Sequence, residues 1–212
     1  MKVVVVASGE LGAGDASRVD EAELVIAADG GAGLLDAIGR RPHLLVGDLD
    51  SVESGLVERL SASGVRVQRN PVDKEASDTE LAIAAALDAG ATEVTLLGAT
   101  GGGRLDHELA NVLLLADSSL AGRDVRLVRA STTVRVLRGG ERLALAGAVG
   151  DLVTLLPIGG DASGVTTDGL RWTLDAATLQ MGRSRGLSNE VVTPRASVRM
   201  ETGTLLVVEH SV

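Results

Sequence analysis

The chain has no cysteine, no phenylalanine, no tyrosine and a single tryptophan, Trp172. The first absence excludes disulfides, thiolate metal centres and cysteine nucleophiles. The others mean that any core must be packed from Val, Leu, Ile and Ala. No apolar run approaches the roughly 20 residues that a membrane-spanning helix requires. The opening MKVVVVASGE carries one basic residue and an apolar run too short for a signal peptide. Surplus positive charge is missing as well: a net charge of −9 sets the protein's own field against a phosphate backbone. These absences predict a soluble cytoplasmic protein with neither nucleic acid nor membrane as partner. Any anionic ligand needs local help from Arg, Lys, backbone amides or a bound cation.

What is present reads as a globular chain: 212 residues, 45% hydrophobic and 23% charged, enough for one large domain or two modest ones. The first 130 or so residues repeat a short Val/Leu/Ile run, a Gly/Asp-rich loop and a segment of helical spacing. The strand candidates are VVVVA (3–7), ELVIAA (23–28), HLLVG (43–47), VRVQR (65–69), EVTLLG (93–98) and VRLVR (125–129). Runs apolar on both faces suit a parallel sheet covered by helices, joined by right-handed crossovers. In SDTELAIAAALDAG, Ser77 with Glu80 forms a capping box, Leu81, Ala84, Ala85 and Leu87 mark an apolar stripe, and Gly90 is a stop signal. In LDHELANVLLLA, Asp106 is the expected N-cap, with His107 and Asn111 one turn apart. After residue 131 the texture changes. TTVRVLRGGERLALAG reads as a hairpin turning at Gly139 and Gly140, followed by short β runs split by Gly, Pro and Asp. The expected fold class is α/β: an N-terminal open, mostly parallel sheet flanked by helices (1–130), plus a smaller all-β, sandwich-like or barrel-like domain (131–212).

In open α/β sheets, ligands bind outside the carboxyl ends of the strands, and the unusual residues collect there. The loops carry ADGG (Asp29, Gly30, Gly31), GDLDS (Asp48, Asp50), NPVDKEASD (Asp73, Lys74, Asp78) and GATGGGRLDH (Thr100, Gly101, Gly102, Gly103, Arg104, Asp106, His107). GDLDS alone also makes an ordinary turn that caps a helix. Residues two apart in an extended chain point to one side, however, so Asp48 and Asp50 can face one ligand. Two unit charges about 4 Å apart repel by roughly 4 kcal/mol at an effective dielectric near 20. A divalent cation relieves that crowding, and an all-oxygen set favours Mg²⁺, which commonly travels with phosphates. DKEASDTE reads equally as a charged helix start. Only two of the 20 basic residues are lysines, yet Lys74 lies here, and its compact charge suits phosphate. The three glycines let backbone amides approach an anion, Arg104 adds a fork of donors, and a helix N-terminus follows. Neither GxxxxGK[ST] nor a GxGxxG between strand and helix occurs. A lone His such as His107 beside a helix start is more often structural, and ASGE (7–10) fits a phosphate loop or a plain turn.

Taken together and in order, ADGG, GDLDS, DKEASDTELA and GATGGGRLDHELAN, followed by TTDGLRWTL and GLSNE, resemble the thiamine pyrophosphokinase (thiamine diphosphokinase) family over nearly the whole chain. The resemblance implies an N-terminal α/β domain that binds ATP and Mg²⁺ and a C-terminal β domain for thiamine binding and dimerisation. It implies a homodimer with sites between subunits, and transfer of pyrophosphate from ATP to thiamine with release of AMP. Carried over, Asp48, Asp50 and Asp78 hold Mg²⁺. Lys74 contacts the polyphosphate, Asp106 lies near the transferred group and Arg104 steadies charge. Asp29, Gly30, Gly31, Thr100, Gly101, Gly102, Gly103 and His107 complete the ATP and phosphate contacts. Trp172 packs on the substrate heterocycle, while Ser188 and Asn189 hydrogen-bond the aminopyrimidine. Many bacterial members read Lys-Asp-x-Thr-Asp where this chain has Lys74, Glu75, Ala76, Ser77 and Asp78. A pyrophosphokinase acting on a pterin alcohol and a non-catalytic nucleotide or Mg²⁺ sensor are the rival readings.

Overall fold

The computed structural model describes residues 1–212, which form two compact units, Met1–Ala130 and Ser131–Val212. The first holds six strands, β1 (Lys2–Val6), β2 (Leu24–Ala28), β3 (Leu44–Gly47), β4 (Arg66–Arg69), β5 (Glu93–Leu97) and β6 (Asp124–Arg129). Their order is β6-β5-β1-β2-β3-β4, with every neighbouring pair parallel. All six expected strands are present, within a residue of the expected ends. Five helices alternate with them: α1 (Asp15–Asp20), α2 (Gly31–Ala37), α3 (Leu56–Ala62), α4 (Asp78–Asp88) and α5 (Leu105–Leu114). Strand β1 is buried along four of its five residues, because helices cover both of its faces. The core is aliphatic throughout, with Val4, Val6, Leu35, Leu45, Leu56 and Leu97 in one cluster. Each such side chain contributes about 1.5–3 kcal/mol on burial.

Helix α4 starts as expected: the Ser77 hydroxyl accepts from the Glu80 amide at 3.2 Å. Its buried stripe is Thr79, Ala82, Ile83 and Ala86, not the stripe through Leu81 and Ala84. The helix is apolar on most sides, so composition left the inward face undetermined. Asp106 is not the N-cap of α5. Arg104 holds that position without a side-chain cap, and Asp106 lies in the first turn, where its carboxylate turns back to Arg104.

The second unit holds β7 (Thr132–Arg138), β8 (Arg142–Ala144), β9 (Leu152–Pro157), β10 (Ala162–Asp168), β11 (Ala177–Leu179), β12 (Asn189–Glu190), β13 (Ser197–Arg199) and β14 (Thr204–His210). Antiparallel pairs run β12-β9-β14-β7 and β11-β10-β13-β8. Leu137, Val153, Leu155, Val165, Val198 and Leu205 lie in its core cluster. The expected hairpin at Gly139 and Gly140 is a turn, with the Glu141 amide on the Arg138 carbonyl at 3.0 Å, but its arms do not pair. Strand β7 joins β14 and β8 joins β13. A Gly-Gly between two β runs specifies the reversal and leaves the choice of partner to side-chain packing.

Candidate active site

The strand order reverses between β1 and β5, which is where an open parallel sheet leaves a crevice for a ligand. Two loops meet there. The Gly9 amide donates to the Gly98 carbonyl at 2.6 Å and the Glu10 amide to the Thr100 carbonyl at 2.9 Å. The ASGE stretch is therefore clamped to the loop carrying Thr100, Gly101, Gly102 and Gly103. Gly101 has φ +90°, and a Cβ there would lie 2.7 Å from the Glu10 carboxylate, so glycine is required. Asn111 fixes the same loop from α5: its buried Nδ2 donates to the Ala99 carbonyl at 2.8 Å. Its place one turn after His107 was the available signal, but its role was not read from sequence. His107 is exposed.

A second group forms across β2, β3 and α4. Asp29 follows β2, Asp48 follows β3 and Asp78 opens α4, which packs on β1, β2 and β3. One carboxylate oxygen from each lies within 4.8 Å of the other two. Asp29 enters the group because its backbone turns at φ +47° while its amide donates to the Val46 carbonyl. Gly31 lets α2 begin directly behind it, since a Cβ there would meet the Val6 carbonyl at 2.0 Å. Asp48 and Asp50 are not related as in an extended chain. Leu49 has φ +69° and is buried, and the Asp50 amide donates to Asp48 Oδ1 at 3.2 Å. Asp50 is exposed and hydrogen-bonded to Ser51, beside the group of three.

Lys74 Nζ lies 2.8 Å from Asp48 Oδ2 and 3.0 Å from Asp78 Oδ1. This contact holds the Asp48 carboxyl below its ordinary range and raises the Lys74 ammonium above its own. Asp29 moves the other way: burial raises its pKa, the charges of Asp78 and Asp50 add to that, and Ser51 and the Gly30 amide oppose it. Its Oδ1 is buried and accepts no hydrogen bond. A buried carboxylate oxygen without a donor, in an all-oxygen group of three acids, suits a hard divalent cation. Arg104 grips Asp106 through two hydrogen bonds of 3.0 and 2.6 Å, which hold the Asp106 carboxyl down at about 2.

In the second unit Trp172 is 58% exposed, and the Arg171 guanidinium lies 5.4 Å from its ring centroid. Asn189 is buried with its amide turned onto the Trp172 backbone. Ser188 is exposed at φ +52°, its amide held by the Thr154 hydroxyl at 2.9 Å.

Acids converging beside glycine loops, at the carboxyl edge of a parallel sheet, define a phosphate-handling α/β enzyme. Two family models match the chain: "Thiamin pyrophosphokinase, catalytic domain" over residues 16–127 and "Thiamin pyrophosphokinase, vitamin B1 binding domain" over residues 142–205. The chain belongs to the thiamin pyrophosphokinase family. It is 25% identical to the thiamine pyrophosphokinase of Bacillus subtilis (strain 168) over 91% of this chain and 89% of that one. It is 29% identical to thiamine pyrophosphokinase 3 of Oryza sativa subsp. japonica over 81% and 72%. Among solved structures, the Geobacillus thermodenitrificans thiamin pyrophosphokinase superimposes with TM-score 0.84 at 25% identity, covering 100% of this chain and 98% of the other. The Bacillus subtilis enzyme superimposes with TM-score 0.89 at 24% identity, covering 100% and 99%. Family membership makes the chain an ATP-dependent pyrophosphotransferase that converts thiamine to thiamine diphosphate.

Proposed function

We propose that the transfer takes place at the carboxyl edge of the N-terminal sheet, with Mg²⁺ held by Asp48, Asp78 and Asp29 and with Asp50 adding charge from the solvent side. The observation that carries this reading is the meeting of three carboxylates from separate segments, Asp48 and Asp78 in contact with Lys74 and Asp29 with a buried oxygen that accepts no hydrogen bond. When bound, the ion neutralises phosphate charge and makes the β-phosphorus more electrophilic.

The chain's own residues supply the rest. Amides of the loop at Gly101, Gly102 and Gly103, with Thr100, cradle phosphate oxygens, and His107 adds a donor at the start of α5. Gly30 and Gly31 keep the backbone close to the nucleotide. Lys74 pairs with the polyphosphate, and Arg104 binds the departing charge once it releases Asp106. The hydroxyethyl oxygen of thiamine attacks the β-phosphorus, the bond from that phosphorus to the α,β-bridging oxygen breaks, and AMP leaves with that oxygen. The exposed Trp172 ring offers a face to the cationic heterocycle, and Ser188 carries a free hydroxyl for the aminopyrimidine. Asp78 or Asp106 accepts the proton of the thiamine hydroxyl.

Positioning and charge neutralisation carry most phosphoryl-transfer catalysis, so no covalent nucleophile is needed. We further propose a cytoplasmic homodimer with its active sites at the subunit interface. Supporting it, α5 exposes Leu105, Leu109 and Leu113, and the second unit exposes Trp172, Met181 and Leu187. No helix is long and apolar enough to cross a membrane.

Incubating the protein with Mg²⁺, ATP and thiamine tests the reading. Stoichiometric AMP and thiamine diphosphate are expected, with loss of both on chelation. Turnover undiminished by chelation removes the metal site.

A further inference from the structure

From the contacts of Lys74 we infer that its ammonium is the resident counter-ion of the carboxylate group, and that an incoming divalent cation displaces it and frees it for the nucleotide's phosphates. This rests on the metal reading above and adds an exchange step to it.

The ammonium already occupies the place of a cation. It touches Asp48 Oδ2 at 2.8 Å and Asp78 Oδ1 at 3.0 Å, two members of a group whose oxygens lie within 4.8 Å of one another. The Lys74 side chain is only 14% exposed, so its charge is committed to this contact. A magnesium ion bound by the same oxygens would sit at about 2.1 Å from each. The ammonium could not then keep hydrogen-bond contact with them without facing a doubly charged neighbour. One positive charge also leaves the group short: Asp48 and Asp78 share it, and Asp29 Oδ1 accepts no hydrogen bond. A divalent ion answers both deficits, so the exchange runs in its favour.

Local structure lets Lys74 leave without disturbing the fold. It stands in the segment between β4 and α4, outside any helix or strand, with its amide on the Val72 carbonyl at 3.1 Å. Helix α4 is anchored independently, by Ser77. The residue type fits as well. Arginine fills 18 of the 20 basic positions, whereas this position carries one of the two lysines. An ammonium on a four-carbon stem is a compact, rotatable charge, while a guanidinium fork locks to a carboxylate. The consequence is an order of loading. Cation entry releases a positive charge beside the crevice, so metal raises the affinity for the polyphosphate, and by reciprocity the nucleotide raises that for metal.

Because the chain has only Lys2 and Lys74, limited acetylation read by peptide mass spectrometry gives an internal ratio on the unmodified sequence. Without divalent ions, Lys74 should label far more slowly than the exposed Lys2. Saturating Mg²⁺ without nucleotide should raise the Lys74 to Lys2 ratio roughly tenfold, the loss expected for one charge-assisted contact. Equilibrium dialysis with Mn²⁺ separates the two readings. Binding by the wild type that is lost in Asp48→Asn supports the metal site, and no binding by the wild type overturns both ideas. Binding without a rise in Lys74 labelling overturns the exchange alone. Lys74→Met should bind Mn²⁺ about tenfold more tightly, and Lys74→Gln, which keeps a polar tip if the methionine variant folds poorly, should also bind more tightly. Unchanged or weaker binding by the folded variant overturns the exchange.

Discussion

Asn189 holds Trp172 by both ends of its amide: Oδ1 accepts from the Trp172 amide at 3.0 Å, and Nδ2 donates to the Trp172 carbonyl at 2.7 Å. Oδ1 also accepts from the Glu190 amide at 2.9 Å. The resemblance places Asn189 on the aminopyrimidine, and its side chain also holds the backbone that presents the indole. Asn189→Ala removes all three bonds and leaves three backbone groups without these partners, at about 1–3 kcal/mol for each that stays buried. The expected outcome is a KM for thiamine raised roughly tenfold, with kcat much less changed. The emission of the only tryptophan should shift in parallel. An unaltered spectrum and KM would remove Asn189 from the positioning of Trp172.

The group of three acids gives a graded expectation. Asp48→Asn and Asp78→Asn each remove a charge that Lys74 and the proposed cation both use, and each should lower kcat/KM at least about a hundredfold, the size of losing one preorganised electrostatic contact. Asp50→Asn is expected to fall by a similar factor if its charge reaches the ion. Far-UV circular dichroism should be unchanged in all three, because none of these side chains packs in the aliphatic core. Steady-state assays at several Mg²⁺ concentrations check this. An Asp50→Asn rate equal to wild type would leave the site to Asp29, Asp48 and Asp78.

The carboxyl-edge loops were legible because strand runs such as LVIAA and LLVG are apolar on both faces and end abruptly in Gly and Asp. The place of Asp29 beside Asp48 was not. It depends on β2 and β3 being neighbours and on a left-handed turn at Asp29, and neither leaves a periodic trace. The relation of Asp50 to Asp48 was illegible for the same reason: Leu49 stands at positive φ, so the chain between them is not extended, and leucine gives no warning of it. The pairing of β7 and β8 with different strands, and the clamp between residues 172 and 189, are long-range choices made by packing.

Arg104 and Asp106 predict a pH response. The guanidinium lowers the folded-state pKa of Asp106 from an ordinary 3.8 to about 2. A depressed carboxyl contributes stability that is fully present above the unfolded value and is lost as pH falls through the folded one. The window is therefore about pH 4 down to about pH 2. Carboxyl-carbon NMR of aspartate-labelled protein should place Asp106 at the low end of that window, and Arg104→Ala should return it toward 3.8. The same pairing occupies the fork proposed for phosphate, so inorganic pyrophosphate should shift the Asp106 signal upward in the wild type and not in Arg104→Ala. A signal indifferent to pyrophosphate would keep Arg104 out of phosphate binding.

Helix α5 carries Leu105, Leu109 and Leu113 four residues apart, so all three lie along one side of the helix, exposed by 68%, 55% and 54%. A helix in an aqueous protein ordinarily turns such a stripe inward, where each leucine gains about 1.5–3 kcal/mol. Here the inward contact is made by the buried Asn111 instead. A second copy of the chain is the occupant that the proposed dimer supplies. Leu109→Glu should leave the monomer folded, since the position is exposed, and should weaken self-association at least about a hundredfold, the effect of seating a charge in an apolar contact. Sedimentation velocity across a concentration series should show the wild type as a dimer where Leu109→Glu is a monomer. Activity should fall with the dimer population if residues of two copies complete each site. An unshifted sedimentation coefficient would assign the stripe to something other than self-association.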